Sequence, residues 1–362
     1  MGKKVYNNSI TIAKSIGIIL MVIGHSCCPQ ALSKIIYLFH MPLFFFCSGI
    51  FFCELNDYNK IRTFLKKRIK GLYFPFIKWS LFFLLLHNLF MSIGIYNSYY
   101  GYEGGSSYYT ASDLVDKLFA ILFTMHGYEE LLGGFWFIRA LFITTLLIVV
   151  FSLLLRKYFK YKKELLCMLF FVLTVLIRRI FPDPEFWRDI SLGTLGGFFY
   201  MSGNLLMQYK NYWQNKLGAL LCCLVLFLSY FYFKETVSMG CGYNKVFFYS
   251  VSAVAGILLT LDISIVINSS YSVLKRPLYY IGNHTLEILA LHFLTFRILS
   301  YFYIKVTDMD IIHIAEHPVM TSVYTPSFMW ALYSIIGIGM PIMFVLLYQY
   351  FGSSFKKKFL WN

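Results

Sequence analysis

TIAKSIGIILMVIGHSCCPQALSKIIYLFHMPLFFFCSGIFF, residues 11–52, reads as two apolar helices joined by a short polar turn. Each helix is about as long as the ~20 residues that are needed to cross the hydrocarbon core of a bilayer. The same stretch contains Lys14, His25 and His40. Because an ionisable side chain at that depth is energetically costly, we expect these three residues to have a functional role.

The composition of the whole chain is that of a polytopic membrane protein. Of its 362 residues, 59% are hydrophobic and only 14% are charged, whereas a soluble domain is roughly a quarter charged. The formal net charge is +15. Most of this positive charge lies in loops next to the ends of apolar stretches, where it acts as an orientation signal. We therefore do not expect nucleic acid to be a partner, and we expect the lipid bilayer to be one.

Ten stretches are apolar and long enough to span a membrane. Lysine and arginine precede the first stretch and follow every even-numbered one, so both termini are predicted to be cytoplasmic. The predicted fold is all-α: a single polytopic domain over residues 1–362, with long outer loops at 95–133 and 305–326 and an amphipathic helix at 113–126. The predicted spans are 9–27, 34–53, 72–94, 134–155, 164–181, 190–208, 216–234, 246–267, 285–304 and 327–351.

Lys14 and His25 are predicted to share one face of the first helix. Eleven residues at 100° each return to within about 20° of the start, and they rise about 16 Å along the axis. The face would carry a cation near the cytoplasmic side and an imidazole near the outer side. Such a pair is costly in a helix that faces only lipid. It is expected in a helix that lines a path through the membrane.

His40 is expected at a depth similar to that of His25. The short turn between the first two helices places them side by side, and Pro42 is expected to loosen the second helix locally. Two imidazoles at one depth can act as a base and its orienting partner, or as a pair that binds a hydroxyl group.

Further polar residues lie in or beside other spans. The basic run KIRTFLKKRIKG contains Arg68 and would neutralise a polyanionic ligand at the cytoplasmic face. GGFWFIRALF places Trp136 and Arg139 at the outer start of the fourth span, and the ninth span contains Glu287 and His292.

Five motifs in this order resemble membrane acyltransferase family 3, the polytopic O-acyltransferases of surface polysaccharides. They are K-x10-H, formed by Lys14 and His25; FHMPLFFF followed by S-G in the second span; KKR-x-K ahead of a proline; WFIRALF in the fourth span; and IGNHTL followed by a histidine in the ninth. Together with the ten predicted spans, the resemblance extends over nearly the whole chain.

The resemblance implies transfer of an acyl group, usually acetyl, from cytoplasmic acyl-CoA to a sugar hydroxyl of an exported or lipid-linked glycan. It also implies a bacterial inner membrane location and no metal. His25 would be the general base, through an acyl-histidine intermediate or by direct transfer. On this reading His25 and His40 are the predicted catalytic residues, and the predicted substrate- or donor-binding residues are Lys14, Arg68, Trp136, Arg139, Glu287 and His292.

Two functions of a different class are also considered. His25, Glu287 and His292 within spans would suit a proton-coupled secondary transporter. An exporter of polysaccharide intermediates is the other alternative, and it would move glycan without consuming an acyl donor. Neither half of the chain shows the matching broken helices that are typical of transporters with inverted repeats.

Overall fold

The computed structural model is all-helical. Helix accounts for 79% of the described residues, and no strand occurs among them. Arg156, Lys157, Lys160 and Lys210, which carry part of the predicted cytoplasmic charge, lie outside those residues. The structure describes residues 2–101, 104–155, 162–181, 185–209, 214–270 and 273–359.

Each of the ten predicted spans is a helix, and so is the amphipathic segment. The first seven helices are α1 (Gly2–His25), α2 (Gln30–Gly49), α3 (Tyr58–Arg68), α4 (Phe74–Ser92), α5 (Ala111–Thr124), α6 (Trp136–Leu154) and α7 (Lys162–Ile180). They are followed by α8 (Glu185–Leu206), α9 (Lys216–Tyr232), α10 (Val246–Ser269), α11 (Lys275–Asn283), α12 (Thr285–Thr307) and α13 (Met329–Phe359).

Within the described part of the chain, seven helices are long and apolar enough to cross a membrane, fewer than the ten spans that were predicted. The other three predicted spans are α7, α8 and α9. α7 has charged residues at both ends and α8 has three charges in its first two turns, while α9 is apolar but shorter. The count of ten and the cytoplasmic termini stay predictions. The seven are Asn8–His25, Gln30–Gly49, Tyr58–Ser92, Glu130–Leu154, Tyr243–Ser269, Thr285–Thr307 and Met329–Phe351.

The chain divides into two compact units. The first unit comprises Met1–Met21, Pro29–Ile77 and Trp136–Gly282. The second unit comprises Val22–Cys28, Lys78–Phe135 and Asn283–Asn362, and it therefore contains the last turn of α1 and both long outer loops. The single domain expected from the sequence stays a prediction.

The basic segment α3 continues into α4 through a π turn at Ile69–Tyr73. Pro75 lies in the first turn of α4. Proline has no N–H to donate, and its ring clashes with the carbonyl group of the preceding turn. A π turn widens the backbone locally, which explains why the helical path continues past Pro75 without a break.

In the first unit, α2 and α8 approach each other through glycines. A Cβ atom on Gly203 of α8 would lie 2.2 Å from the carbonyl oxygen of Phe46 in α2, and one on Gly49 would lie 1.7 Å from the carbonyl oxygen of Tyr200. Asn204 donates its side-chain amide to carbonyl oxygens at the end of α2, including that of Phe52 at 2.9 Å. Small residues allow such close approach of helix backbones in membranes.

Gly203→Ala should therefore weaken this contact. The methyl group meets backbone atoms, which cannot turn away as a side chain can, so the two helices must separate. We expect the free energy of unfolding to fall by about 1–3 kcal/mol, as in overpacked cores. Thermal unfolding of the purified protein in detergent measures the change. Gly339→Ala in α13 is the matched control, because nothing lies within 4 Å of its added methyl group. Equal melting temperatures of the two variants would contradict the prediction.

Arg178 is one of the charged residues in the span predicted at α7, and protein groups bind its guanidinium. All three of its guanidinium nitrogens have partners in the first unit: Nε donates to Ser191 Oγ at 2.9 Å, Nη1 to the carbonyl oxygen of Cys241 at 2.6 Å and Nη2 to that of Met239 at 2.6 Å. The residue ties the segment between α9 and α10 to α7 and α8. Its role is structural.

In the second unit, side chains hold the two long loops. Asn97 donates its amide to the carbonyl oxygen of Ile312 at 2.8 Å and so joins the first loop to the second. His87 of α4 is buried beside Glu129, and its Nδ1 lies 3.0 Å from that carboxylate. The Tyr109 ring stacks on His87 with centroids 3.4 Å apart. The loops are therefore anchored to the helices below them.

Candidate functional site

Two histidines of the second unit form a hydrogen-bonded pair. His25 is the last residue of α1, and its Nδ1 lies 3.1 Å from Nε2 of His292 in α12. The two rings are stacked with centroids 5.3 Å apart. His292 is fully buried, whereas His25 is half-buried. The pair thus consists of an inner ring enclosed by protein and an outer ring that a substrate can approach.

The contacts of His292 determine where the protons lie. Its Nδ1 is 3.1 Å from the carbonyl oxygen of Ile288 and 3.0 Å from that of Leu289. A carbonyl oxygen only accepts, so this nitrogen carries the hydrogen. In a neutral ring, Nε2 of His292 then accepts, and Nδ1 of His25 donates to it. A neutral His25 therefore has its lone pair on Nε2, which is the arrangement a general base needs.

The end of α1 is fixed from a third helix. Ser26 donates its hydroxyl to the carbonyl oxygen of Ile23 at 2.7 Å, and Ser334 of α13 donates to Ser26 Oγ at 3.0 Å. Cys27 then takes a left-handed conformation with φ 60°, and the chain leaves the helix. These contacts hold the backbone that carries His25.

An aromatic ring and a glycine turn complete the surroundings of the pair. Phe293 stacks on His25, with centroids 5.0 Å apart and planes within 10°. The turn Glu130–Phe135 brings Gly134 so close to α12 that a Cβ there would lie 2.7 Å from Leu289 and 3.8 Å from the His292 ring. A larger residue at this position would push against the helix turn that bonds His292.

The second long loop reaches the same level of α12. The ring of His317 lies 4.5 Å from that of Phe293. Burial, and then the nearby charge of Arg297, lower the pKa of His317 to about 3. The ring is therefore neutral at physiological pH.

Glu316 holds the loop that carries His317. Its carboxylate accepts from the backbone N–H groups of Thr321 at 2.6 Å and Ser322 at 2.9 Å, and its other oxygen lies 2.7 Å from His313 Nδ1. Burial raises the pKa of Glu316, but these hydrogen bonds and that of the Ser322 hydroxyl outweigh it, so the pKa lies below its usual value. The loop is thus built around an ionised carboxylate.

The first unit contains five of the predicted site residues, and Arg68 is the most extensively bound of them. Its Nη2 donates to the hydroxyl of Tyr200 at 2.6 Å and to the carbonyl oxygen of Ser48 at 3.3 Å. The guanidinium also lies over the ring of Phe64, 5.1 Å from its centroid. These partners are neutral, so the positive charge of Arg68 is not cancelled by them.

Lys14 is half-buried in α1, and within the described chain it has no hydrogen bond or ion pair. An unbalanced ammonium group in a membrane-spanning helix is suited to a negatively charged ligand. α1 is one uninterrupted helix from Gly2 to His25, so the prediction that Lys14 and His25 belong to one helix is confirmed.

Arg139 and Trp136 are at the start of α6. Arg139 forms an ion pair of 2.7 Å with Asp189 of α8, and both side chains are about a quarter exposed. Trp136 is partly exposed and packs edge-on against Phe137. Arg139 therefore has an acidic partner in α8, and the binding role predicted for it stays a prediction.

His40 bonds within its own helix. It is buried, and its Nδ1 donates to the carbonyl oxygen of Ile36 at 2.8 Å. Glu287, in the second unit, lies at the start of α12, 3.7 Å from His284 Nδ1. The roles predicted for His40 and Glu287 stay predictions.

The chain matches a known protein-family model. The model for the acyltransferase 3 family, described as an acyltransferase domain, matches residues 7–348. The chain belongs to membrane acyltransferase family 3. No curated protein and no solved structure is significantly similar to this member of the family.

In this family 3 acyltransferase, the predicted site residues fall into two groups. His25, Glu287 and His292 lie in the second unit, where the structure brings His25 and His292 together. The other group lies in the first unit and consists of Lys14, His40, Arg68, Trp136 and Arg139. The observed imidazole partner of His25 is thus His292, which the sequence analysis had placed among the donor-binding residues.

Two charged residues of the second unit are not among the residues predicted from the sequence. Arg297 lies in the middle of α12 and is only 2% exposed, and its Nη2 is 3.1 Å from Glu130 Oε1. The signal for Arg297 was present, since it is an ionisable residue within an apolar stretch. Its partner Glu130 lies in the first long outer loop.

Proposed function

We propose that this acyltransferase transfers an acyl group, in the simplest case acetyl, from acyl-CoA to a sugar hydroxyl of an exported or lipid-linked glycan. Family membership makes it an acyltransferase enzyme. The observation that carries the proposal is the 3.1 Å contact between His25 and His292, which favours the tautomer of neutral His25 with its lone pair on Nε2. The proposed location is a bacterial inner membrane.

In the proposed reaction, His25 Nε2 takes the proton of the acceptor hydroxyl as its oxygen attacks the thioester carbonyl carbon. The new C–O bond forms, the C–S bond breaks, and the proton on Nε2 passes to the departing thiolate. General bases of this kind contribute about 10²–10⁴-fold to rate. An acyl-histidine intermediate on the same nitrogen is the alternative route.

The cations of the first unit are proposed to bind the donor. Lys14 has no ion-pair partner in the described chain, and the partners of Arg68 are neutral groups. The phosphate groups of acyl-CoA are strong acceptors for such cations. Arg139, by contrast, already has the carboxylate of Asp189, which favours a structural role for it.

The purified protein in lipid nanodiscs, supplied with acetyl-CoA and methyl glycosides of glucose, galactose and N-acetylglucosamine, tests the function. We expect free thiol to be released only with acceptor present, together with a glycoside heavier by one acetyl group. Thiol release without an acylated sugar, or no release at all, would contradict the proposal. Glycan movement in proteoliposomes without donor consumption would instead support the exporter alternative.

The transporter alternative has weaker support in the structure. It rested on His25, Glu287 and His292 acting together. The side chain of Glu287 is 34% exposed and lies beside His284. It precedes His292 by five residues in the same helix. The structure therefore shows a two-histidine arrangement, which suits proton transfer to a bound substrate better than a three-group proton relay.

A further inference from the structure

Arg297 has hydrogen-bond donors that no described protein group satisfies. It is 2% exposed, and its Nη2 is occupied by Glu130. Its Nε and Nη1 are both buried, and neither has a hydrogen-bond partner among the described residues. An arginine side chain offers five N–H donors, and leaving charged donors unpaired inside a protein is costly. Two nitrogens of Arg297 can therefore still donate to an oxygen atom that does not belong to the described residues.

Arg297 lies close to the histidine pair. It is four residues after Phe293, and hence one helix turn, or about 6 Å, further along α12. Phe293 stacks on His25, and its ring also lies 4.5 Å from that of His317. The low pKa of His317 reflects burial and, next, the charges of Arg297 and His292, so the loop that carries His317 lies near both residues. Arg297 is thus one helix turn from the residue that stacks on His25.

The charge balance around Arg297 indicates which oxygen atoms fit. Glu130 already compensates the guanidinium charge. A phosphate or carboxylate ligand would add a second negative charge beside Glu130, and the two would repel each other. Neutral oxygen acceptors, such as sugar hydroxyl and ring oxygens, satisfy the N–H groups without this penalty.

We propose that Arg297, held by Glu130, binds hydroxyl or ring oxygens of the sugar acceptor and positions it for His25. This inference rests on the proposed acyl transfer to a sugar and assigns its acceptor subsite. It also separates the roles of the arginines: Arg297 binds the neutral acceptor, whereas Arg68 of the first unit is proposed to bind the anionic donor.

Arg297→Lys tests the subsite, because lysine retains the charge opposite Glu130 but lacks the guanidinium donors. With acetyl-CoA and the methyl glycoside used best by the wild-type protein, we expect KM for the glycoside to rise about 10- to 100-fold. KM for acetyl-CoA should change by less than about twofold. Arg178→Lys is the matched control, because that buried arginine has all three nitrogens bound within the protein; it should leave both KM values unchanged.

Glu130→Gln gives a second, independent test. It leaves Arg297 without its compensating charge, so an anionic sugar should then be favoured. We expect the ratio of kcat/KM for methyl glucuronide over methyl glucoside to rise about tenfold relative to the wild-type protein. This change of preference is not expected from a variant that is merely less stable.

The outcomes distinguish this inference from the proposed function. A wild-type protein that acetylates none of the glycosides contradicts the proposed function. An active wild-type protein together with an Arg297→Lys variant of unchanged glycoside KM contradicts the subsite alone, and would show that the donors of Arg297 are met by water. Equal increases in both KM values would also overturn it.

Discussion

Replacing His25 by alanine is expected to abolish acyl transfer. The variant loses the nitrogen that takes the acceptor proton, so kcat should fall by about 10²–10⁴-fold, the usual contribution of a general base. KM for acetyl-CoA should stay close to that of the wild-type protein, since the proposed donor contacts are elsewhere. Thiol release in nanodiscs, with the amount of folded protein normalised by size-exclusion chromatography, measures the effect.

His126→Ala provides the matched control for that experiment. This histidine belongs to the same unit, but its ring packs on Tyr128 in the first long loop. We expect it to retain near-wild-type kcat. If His25→Ala transferred acetyl groups at the rate of this control, His25 would not be the base.

His292→Leu is expected to have the second-largest effect. Leucine cannot accept the hydrogen of His25 Nδ1, so nothing in the pair keeps the lone pair on Nε2. Loss of the correct tautomer in the Ser-His-Asp triad of serine proteases lowers kcat by about 10⁴-fold; here we expect about 10²–10⁴-fold. His292→Gln should recover a large part of the activity, because a glutamine carbonyl oxygen can lie where Nε2 lies and can accept the same hydrogen.

Comparing kcat with the melting temperature separates positioning from simple destabilisation. Both His292 variants lose the bonds to Ile288 and Leu289, so a purely structural role predicts equal losses. Ser300→Ala in the same helix removes a buried hydrogen bond to Tyr333 and should lower the melting temperature without lowering kcat. Equal activity of His292→Leu and His292→Gln would contradict the positioning role.

The helices were predictable because hydrophobicity and length specify them locally. All ten predicted spans and the amphipathic segment, now α5, are helical. The membrane span predicted at α7 stays a prediction, because charged residues lie at both ends of that helix. One of them, Arg178, bonds to groups more than 60 residues away in the sequence. Contacts between residues so far apart in the sequence cannot be read from the local pattern of apolar residues.

The candidate site was predictable only in part for the same reason. His25 and Arg297 both stand out as ionisable residues in apolar sequence. The partner of His25 is 267 residues away, and Glu130 is 167 residues from Arg297. His40 had been expected to pair with His25 because the short turn between the first two helices places the two residues at a similar depth, but its imidazole bonds to its own helix.

The bonding of His292 to the backbone of α12 limits how the proposed catalyst handles protons. Its Nδ1 is committed to two carbonyl oxygens and its Nε2 to His25. In the proposed mechanism the pair therefore stores one proton at a time, on His25 Nε2. The acceptor oxygen and the departing sulfur must use that atom in turn, so each turnover ends only when the coenzyme leaves with the proton that the sugar supplied.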